Sequence, residues 1–153
     1  MPNISLSSRC NLHCPYCFAH ETMGAGSGDI TLENFDAALE FLTRTGPVNI
    51  GLIGGEPTLH PHFDEIVRRA VACENVAMLT VYTNGLLIEK HADVLSLPKV
   101  TLLVNWNAPS ELREGAFEQI ERGVDELVFN RGMGRRINLG IGDEKTVLFL
   151  IMS

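Results

Sequence analysis

The chain has 153 residues, of which 45% are hydrophobic and 20% charged, and its formal net charge at pH 7 is −7. A chain of this length fits one domain with a sizeable core, and its composition excludes a disordered or collagen-like protein. The negative charge disfavours nucleic acid and anionic membranes as main partners, because both require a basic surface. The sequence shows neither a secretory signal nor an apolar run of membrane-spanning length, so we expect a cytoplasmic protein.

Short β-prone runs alternate along the chain with stretches of helical periodicity. Strands are predicted at 3–7, 48–53, 76–82, 99–107 and 136–142. Helices are predicted at 31–45, from Pro61, at 88–95 and after Ser110. Thr31 and Ser110 can serve as N-caps. This alternation is typical of an α/β domain built on a mostly parallel sheet.

Distinctive polar or glycine-rich stretches follow the first three predicted strands and end the fourth. They are CNLHCPYC at 10–17, GGEP at 54–57, TNG at 83–85 and NWN at 105–107. In parallel sheets the turns after the strands gather at one edge, which is where ligands bind. We therefore expect a ligand site at the edge where these stretches lie.

Three of the four cysteines, Cys10, Cys14 and Cys17, fall within eight positions of one loop. In a reducing compartment such clustering indicates metal or redox chemistry rather than a disulfide framework. Three thiolates in one loop can bind three irons of a [4Fe–4S] cluster and leave the fourth iron open to an exogenous ligand. Two alternatives remain open: a closed zinc site completed by His13 or His20, and thiols that bind no metal.

The remaining cysteine and the last residues receive structural interpretations. Cys73 lies near the end of a predicted helix and is expected to be a small buried hydrophobe rather than a fourth ligand. The segment 143–153 is largely apolar and β-prone, but only residues 143–145 separate its apolar run from the preceding strand. So short a connection permits a hairpin and no parallel crossover. We expect a core domain at 1–142 and an apolar tail at 143–153, either an antiparallel edge strand or a non-native end.

CNLHCPYC and GGEP together resemble the motifs of the radical S-adenosylmethionine (radical SAM) superfamily. The resemblance implies a partial (β/α) barrel, truncated at its carboxyl end, because about five strand–helix units are predicted where the family core has about six. It also implies a [4Fe–4S] cluster on Cys10, Cys14 and Cys17, whose open iron is chelated by the amino and carboxylate groups of S-adenosylmethionine. Tyr16 occupies the aromatic position of the cluster loop and is expected beside the adenine.

The segment that matches GGEP receives the amino group of S-adenosylmethionine in this family. The resemblance assigns that role to Gly54, Gly55, Glu56 and Pro57. The chemistry agrees, because glycines let the backbone approach a ligand, and carbonyl and carboxylate oxygens accept hydrogen bonds from an ammonium. Without the cysteines, these four residues would be interpreted as an ordinary tight turn.

Two further stretches carry weaker signals. Thr83 and Asn84 belong to the TNG turn, which many relatives carry near the cofactor, although Asn-Gly is also a general turn signal. Asn105 ends the fourth predicted strand, where its amide can bind the carboxylate or ribose of the cofactor. The alternative is that Asn105 only satisfies the end of the strand.

The resemblance implies that a reduced cluster cleaves S-adenosylmethionine to methionine and a 5′-deoxyadenosyl radical, which abstracts hydrogen from an unidentified small-molecule or peptide substrate. An electron donor such as flavodoxin or ferredoxin is expected as a partner. The first step needs no protein acid or base, and no catalytic side chain is predicted. The alternatives from other functional classes are a closed zinc-binding module and a truncated remnant that binds a cluster without turnover.

Overall fold

In the part of the chain that the structure describes, five strands form one parallel sheet in which neighbours in space are also neighbours in sequence. This computed structural model describes residues 1–14, 17, 28–106 and 112–141. The strands are β1 (Asn3–Ser5), β2 (Val48–Ile53), β3 (Val76–Thr83), β4 (Val100–Trp106) and β5 (Ile137–Ile141). The predicted α/β fold with a mostly parallel sheet is confirmed for the described part of the chain.

Within the described ranges, one α-helix lies between each pair of successive strands. These helices are α1 (Leu32–Thr43), α2 (Phe63–Ala72), α3 (Ile88–Leu95) and α4 (Ala116–Asp125). Shorter segments are 3₁₀ helices at Pro57–Leu59 and Gly134–Arg136 and a π-helical turn at Glu126–Asn130. Thr31 caps α1 as predicted, because its hydroxyl accepts a hydrogen bond from the Asn34 N–H at 3.1 Å. Among the described residues, no helix is both long enough and apolar enough to cross a membrane.

The helix predicted after Ser110 begins later than expected. It is α4, which starts at Ala116, so that Leu112 precedes the helix while still packing partly against the core. Gly115 explains the difference, because its φ of 76° is left-handed and a right-handed helix cannot continue through that conformation. Ser110 itself lies outside the described residues, as does the predicted tail at 143–153.

The two faces of the sheet have different surroundings, because side chains alternate along each strand. Fully buried aliphatic residues on one face pack into the core with the helices, and they are Ile50, Leu52, Leu79, Val81, Leu102 and Val104. The alternate positions point the other way, and Tyr82, Leu103 and Asn105 among them are only half-buried. This second face is therefore the one that can receive a ligand.

A cationic side chain binds the carbonyl groups at the carboxyl end of α3. The guanidinium of Arg136 donates hydrogen bonds to the carbonyls of Ser96 (3.2 Å), Leu97 (2.7 Å) and Val100 (3.1 Å). Lys99 serves the end of α2 in the same way. Positive charge is favourable at a helix carboxyl end, so these contacts connect α3 to the start of β5 and α2 to the start of β4.

Candidate functional site

A cavity of about 500 Å³ lies beside the carboxyl ends of β2, β3 and β4, a volume typical of small-molecule sites. Its lining contains most of the residues selected from the sequence, namely Cys10, Cys14, Cys17, Gly54, Gly55, Glu56, Thr83, Asn84 and Asn105. Pro57 is buried at the start of a 3₁₀ helix and stands outside that lining. Tyr16 lies outside the described residues. The predicted stretches do meet at one edge of the sheet, while the ligands they bind stay a prediction.

Gly54 and Gly55 let the cysteine loop approach the end of β2. A β-carbon on Gly54 would lie 2.4 Å from the carbonyl oxygen of Ser7, and one on Gly55 would lie 2.3 Å from that of Arg9. The N–H groups of Gly55 and Glu56 donate to these same two carbonyls, each at 2.8 Å. The close approach that requires glycine here is thus to the cysteine loop. Because an ammonium donates hydrogen bonds, the carbonyl oxygens are the backbone groups that this turn can offer to it.

The Glu56 side chain lies inside the protein, with 1% of its surface exposed. Its Oε1 accepts hydrogen bonds from the Thr58 hydroxyl (2.5 Å), the Thr58 N–H (3.2 Å) and the Thr83 hydroxyl (2.8 Å). Its Oε2 accepts from the Asn84 N–H at 2.8 Å. Burial raises the pKa of Glu56, and these hydrogen bonds oppose the rise. The carboxylate therefore joins the turns after β2 and β3, and Oε2 keeps the larger capacity to accept from a ligand.

Thr83 and Asn84 are buried and direct the hydrogen bonds of their side chains to protein groups. The Thr83 hydroxyl donates to Glu56. The Asn84 amide donates from Nδ2 to Asn11 Oδ1 at 2.7 Å and accepts at Oδ1 from the Leu86 N–H at 3.1 Å. Because Asn11 belongs to the cysteine loop, the turn after β3 contacts that loop directly.

The surroundings of Cys10 disfavour its thiolate form. Burial raises the pKa of the Cys10 thiol, and the negative charges of Glu56, Cys14 and Cys17 raise it further, whereas a backbone hydrogen bond at Leu12 lowers it. A bound metal or iron–sulfur cluster reverses this balance, because coordination deprotonates a thiol.

Arg9 fixes the start of the cysteine loop to the segment before α1. Its guanidinium donates to both carboxylate oxygens of Asp29, at 3.2 and 2.7 Å, and to the Leu59 carbonyl at 3.0 Å. The Ser7 hydroxyl donates to the same carboxylate at 2.6 Å. The pKa of Asp29 is lowered mainly by the hydrogen bond from Ser7 and further by Arg9. The residue that precedes Cys10 is therefore held by its side chain as well as by its carbonyl group.

The donor set of the cavity fits an iron–sulfur cluster bound by three cysteines, because three thiols from one loop line the same space. Among the described residues, no three His, Cys, Asp or Glu side chains converge on a position for a single metal ion. His13, one candidate for the fourth ligand of a zinc site, is exposed, and His20 lies outside the described residues. The metal that the purified chain takes up, iron or zinc, therefore distinguishes the cluster from the zinc site.

Further residues line the cavity that the sequence motifs did not select, namely Asn3, Leu12, Ile53, Tyr82 and Leu103. Tyr82 and Leu103 each follow a fully buried residue of their strand and point away from the helices. The alternation of period two along β3 and β4 is the signal that identifies them. No comparable signal selects Leu12, an apolar residue between two cysteines.

Comparisons with known protein families and sequences give consistent results. The model of the family described as "Radical SAM superfamily" matches residues 4–130. A GTP 3′,8-cyclase of Chlorobaculum tepidum is 28% identical over 96% of this chain and 48% of its own length. A GTP 3′,8-cyclase of Pelotomaculum thermopropionicum is 34% identical over 78% of this chain and 37% of its own. The "Antilisterial bacteriocin subtilosin biosynthesis protein AlbA" of Bacillus subtilis is 26% identical, over 89% and 32% respectively. The chain thus spans about half the length of these relatives or less.

A solved structure shares the fold. It is described as "Crystal structure of BtrN in complex with AdoMet and 2-DOIA", and it matches with a TM-score of 0.74 at 19% sequence identity. The match covers 95% of this chain and 58% of the other. The partial barrel expected from the sequence is confirmed by this similarity.

Proposed function

The chain belongs to the radical SAM superfamily, and we propose that its cavity binds a [4Fe–4S] cluster and S-adenosylmethionine and supports reductive cleavage of the latter. One observation carries the proposal: the three cysteines and the glycine-rich turn after β2 line the same cavity. The direct hydrogen bonds between that turn and the cysteine loop support it further, because they hold the two groups of ligands in a fixed relation.

Each set of lining residues has a proposed task. Cys10, Cys14 and Cys17 bind three irons and leave the fourth accessible. Carbonyl oxygens of the turn after β2, together with Glu56 Oε2, accept hydrogen bonds from the amino group of S-adenosylmethionine. Asn105 is the candidate for its carboxylate or ribose.

Two residues selected from the sequence, Tyr16 and Pro57, have separate proposed tasks. Tyr16 is the candidate neighbour of the adenine. Pro57 fixes the turn from its buried position in the 3₁₀ helix.

When bound, the cluster and S-adenosylmethionine supply a one-electron cleavage that yields methionine and a 5′-deoxyadenosyl radical able to take a hydrogen atom from a substrate. The residues of this chain bind the two groups, orient them and exclude water. Leu12, Ile53 and Leu103 supply apolar surface around the cavity, which limits side reactions with solvent.

The relatives suggest which substrates to test first. Two of them are named GTP 3′,8-cyclase, which favours a small molecule, with GTP as the first candidate. AlbA is named for bacteriocin biosynthesis, which makes a peptide the second class. An electron donor such as flavodoxin or ferredoxin and a cytoplasmic location complete the proposal.

Anaerobic reconstitution of the full chain with iron and sulfide tests the proposal, with Cys14→Ala and Cys73→Ala as a matched pair. Cys73 is the control because it lies at the end of α2, away from the cavity lining. Wild type and Cys73→Ala should take up about four irons per chain, whereas Cys14→Ala should take up almost none. The electron paramagnetic resonance (EPR) signal of the reduced wild-type cluster should change when S-adenosylmethionine is added, because a ligand then occupies the open iron.

Other outcomes of the same experiment support the alternatives. Equal iron content in Cys14→Ala and wild type would show that the cysteine assignment is wrong. Tightly bound zinc without a cluster would support the zinc-binding module. A cluster whose EPR signal does not respond to S-adenosylmethionine would support the non-catalytic remnant.

A further inference from the structure

The hydrogen bond between Asn84 and Asn11 joins the turn after β3 to the cysteine loop. We propose that this contact positions Cys10 for cluster binding and that Asn84 is a positioning residue of the site. The inference rests on the proposed function, because it concerns how the chain retains the cluster.

Asn84 is held in place by the groups around it. Its amide has one orientation, because Oδ1 accepts from the Leu86 N–H and Nδ2 is left to face Asn11. Its backbone N–H donates to the buried carboxylate of Glu56 at 2.8 Å. The residue is 7% exposed, so displacing it would leave buried polar groups without partners.

The hydrogen bonds of Asn84 complete a ring around Cys10. The Arg9 carbonyl accepts from the Glu56 N–H at 2.8 Å, and Glu56 Oε2 accepts from the Asn84 N–H at 2.8 Å. Asn84 Nδ2 then donates to Asn11 Oδ1 at 2.7 Å. Because Arg9 and Asn11 are the sequence neighbours of Cys10, the ring restrains the chain on both sides of this cysteine.

The restraint on the residue after Cys10 is the hydrogen bond between the side chains of Asn84 and Asn11. Asn11 is exposed, so without Asn84 its amide would turn to water. The cysteine loop would then become ordered only when the cluster binds, and the free-energy cost of that ordering lowers the affinity for the cluster. The contact is therefore expected to slow the loss of the cluster more than it stabilises the chain without a cluster.

Three variants of the full chain isolate this contact: Asn11→Asp, Asn84→Asp and the double variant. Each single change keeps a donor and an acceptor in place. In Asn11→Asp the carboxylate still accepts from Asn84, and in Asn84→Asp the Asn11 amide can rotate to donate. In the double variant two carboxylates face each other with no donor between them.

The measurement is the rate at which the reconstituted protein loses iron to a chelator, together with the EPR signal of its reduced cluster. Each single variant should lose iron within about threefold of the wild-type rate. The double variant should lose iron at least about tenfold faster than the product of the single effects, as expected for residues in contact. Thermal unfolding of the chain without a cluster monitors folding in every variant.

One further variant, Asn11→Leu, covers the case in which the double variant does not fold. Asn11→Leu changes an exposed position and removes the whole amide, including the oxygen that accepts from Asn84, so it should lose iron faster than Asn11→Asp. Multiplicative effects in the double variant, or equal rates for Asn11→Leu and Asn11→Asp, overturn the inference and leave the proposed function standing. A wild-type chain that takes up no cluster contradicts the proposed function and the inference with it.

Discussion

At Gly55 the cysteine loop leaves no room for a side chain. A β-carbon there would lie 2.3 Å from the Arg9 carbonyl oxygen and 3.1 Å from Cys10 Cβ. Gly55→Ala should therefore displace the loop, lower the free energy of unfolding by about 1–3 kcal/mol and reduce iron uptake on reconstitution. Denaturant unfolding and iron analysis measure the two effects.

The matched control for this substitution is Gly140→Ala in β5. A β-carbon at Gly140 meets the Leu103 side chain at 3.4 Å and the Val104 carbonyl at 3.7 Å, which are ordinary contact distances. This variant should take up iron as wild type does. A similar loss of iron in both variants would mean that the close approach at Gly55 is not what matters.

Glu56 makes the stability of the chain without a cluster depend on pH. Burial raises the folded-state pKa of Glu56 above its ordinary value, so the folded chain holds this proton more tightly than the unfolded chain does. Protonated Glu56 therefore contributes to the free energy of unfolding. This contribution is complete below the unfolded-state pKa of Glu56 and is lost as pH rises through its folded-state pKa. Glu56→Gln removes the titrating group, so wild type should lose stability relative to this variant as pH rises across that window.

Denaturant unfolding of both proteins at a series of pH values measures this difference. A difference in unfolding free energy that stays constant with pH would show that Glu56 does not titrate as described.

Single residues show where prediction from sequence ends. Cysteine spacing and the GGEP stretch are local patterns, and the residues they selected line the cavity except for Pro57. What these residues bind stays a prediction. The contact between Gly55 and Arg9 depends on how two distant loops pack, and no local pattern encodes it. The role of Glu56 as an acceptor for the cofactor stays a prediction. Its burial and its four hydrogen bonds from protein donors were not predicted, because they depend on how the turns after β2 and β3 pack together.

At the level of elements, Arg136 connects the end of α3 to the start of β5. Arg136→Met keeps the aliphatic stem and removes the hydrogen bonds to the carbonyls of Ser96 and Leu97, just after α3, and of Val100 at the start of β4. The free energy of unfolding should fall by about 1.5–3 kcal/mol, the range for hydrogen bonds to a charged group. Iron uptake by the folded protein should not change, because Arg136 does not line the cavity.

Arg135→Met is the control for this prediction, because Arg135 is exposed and lies beside Arg136. Its effect on unfolding should stay within about 0.5 kcal/mol, as for most surface substitutions. Equal destabilisation by the two variants would indicate a general effect of charge rather than the contact with α3.

The bounds of helices and strands could be predicted where hydrophobic periodicity is strong. They could not be predicted where the backbone conformation of one residue sets the end of the element. β2 and α3 have the predicted bounds, because hydrophobic patterning and turn residues agree on both sides of each element. The start of α4 was predicted too early, because it depends on the left-handed conformation of Gly115. The π-helical turn at Glu126–Asn130 was missed, since its hydrogen bonding leaves no signature in hydrophobic periodicity.

At the scale of the whole molecule, fold class is predictable from sequence and substrate is not. Alternating strands and helices with short connections allow few topologies, and the sequential order from β1 to β5 is among them. Substrate contacts follow no such rule, because they depend on individual side chains and not on the alternation that builds the sheet. The relatives are also at least about twice as long as the segment they share with this chain, so their substrates enter only as candidates to test.

The most direct test of the account measures the cleavage products of S-adenosylmethionine. The reconstituted chain is reduced chemically and incubated with S-adenosylmethionine, and 5′-deoxyadenosine and methionine are quantified. We predict that wild type and Cys73→Ala form both products in equal amounts, whereas Cys14→Ala forms neither. A wild-type chain that carries a full, reduced cluster and leaves S-adenosylmethionine intact would contradict the proposed function.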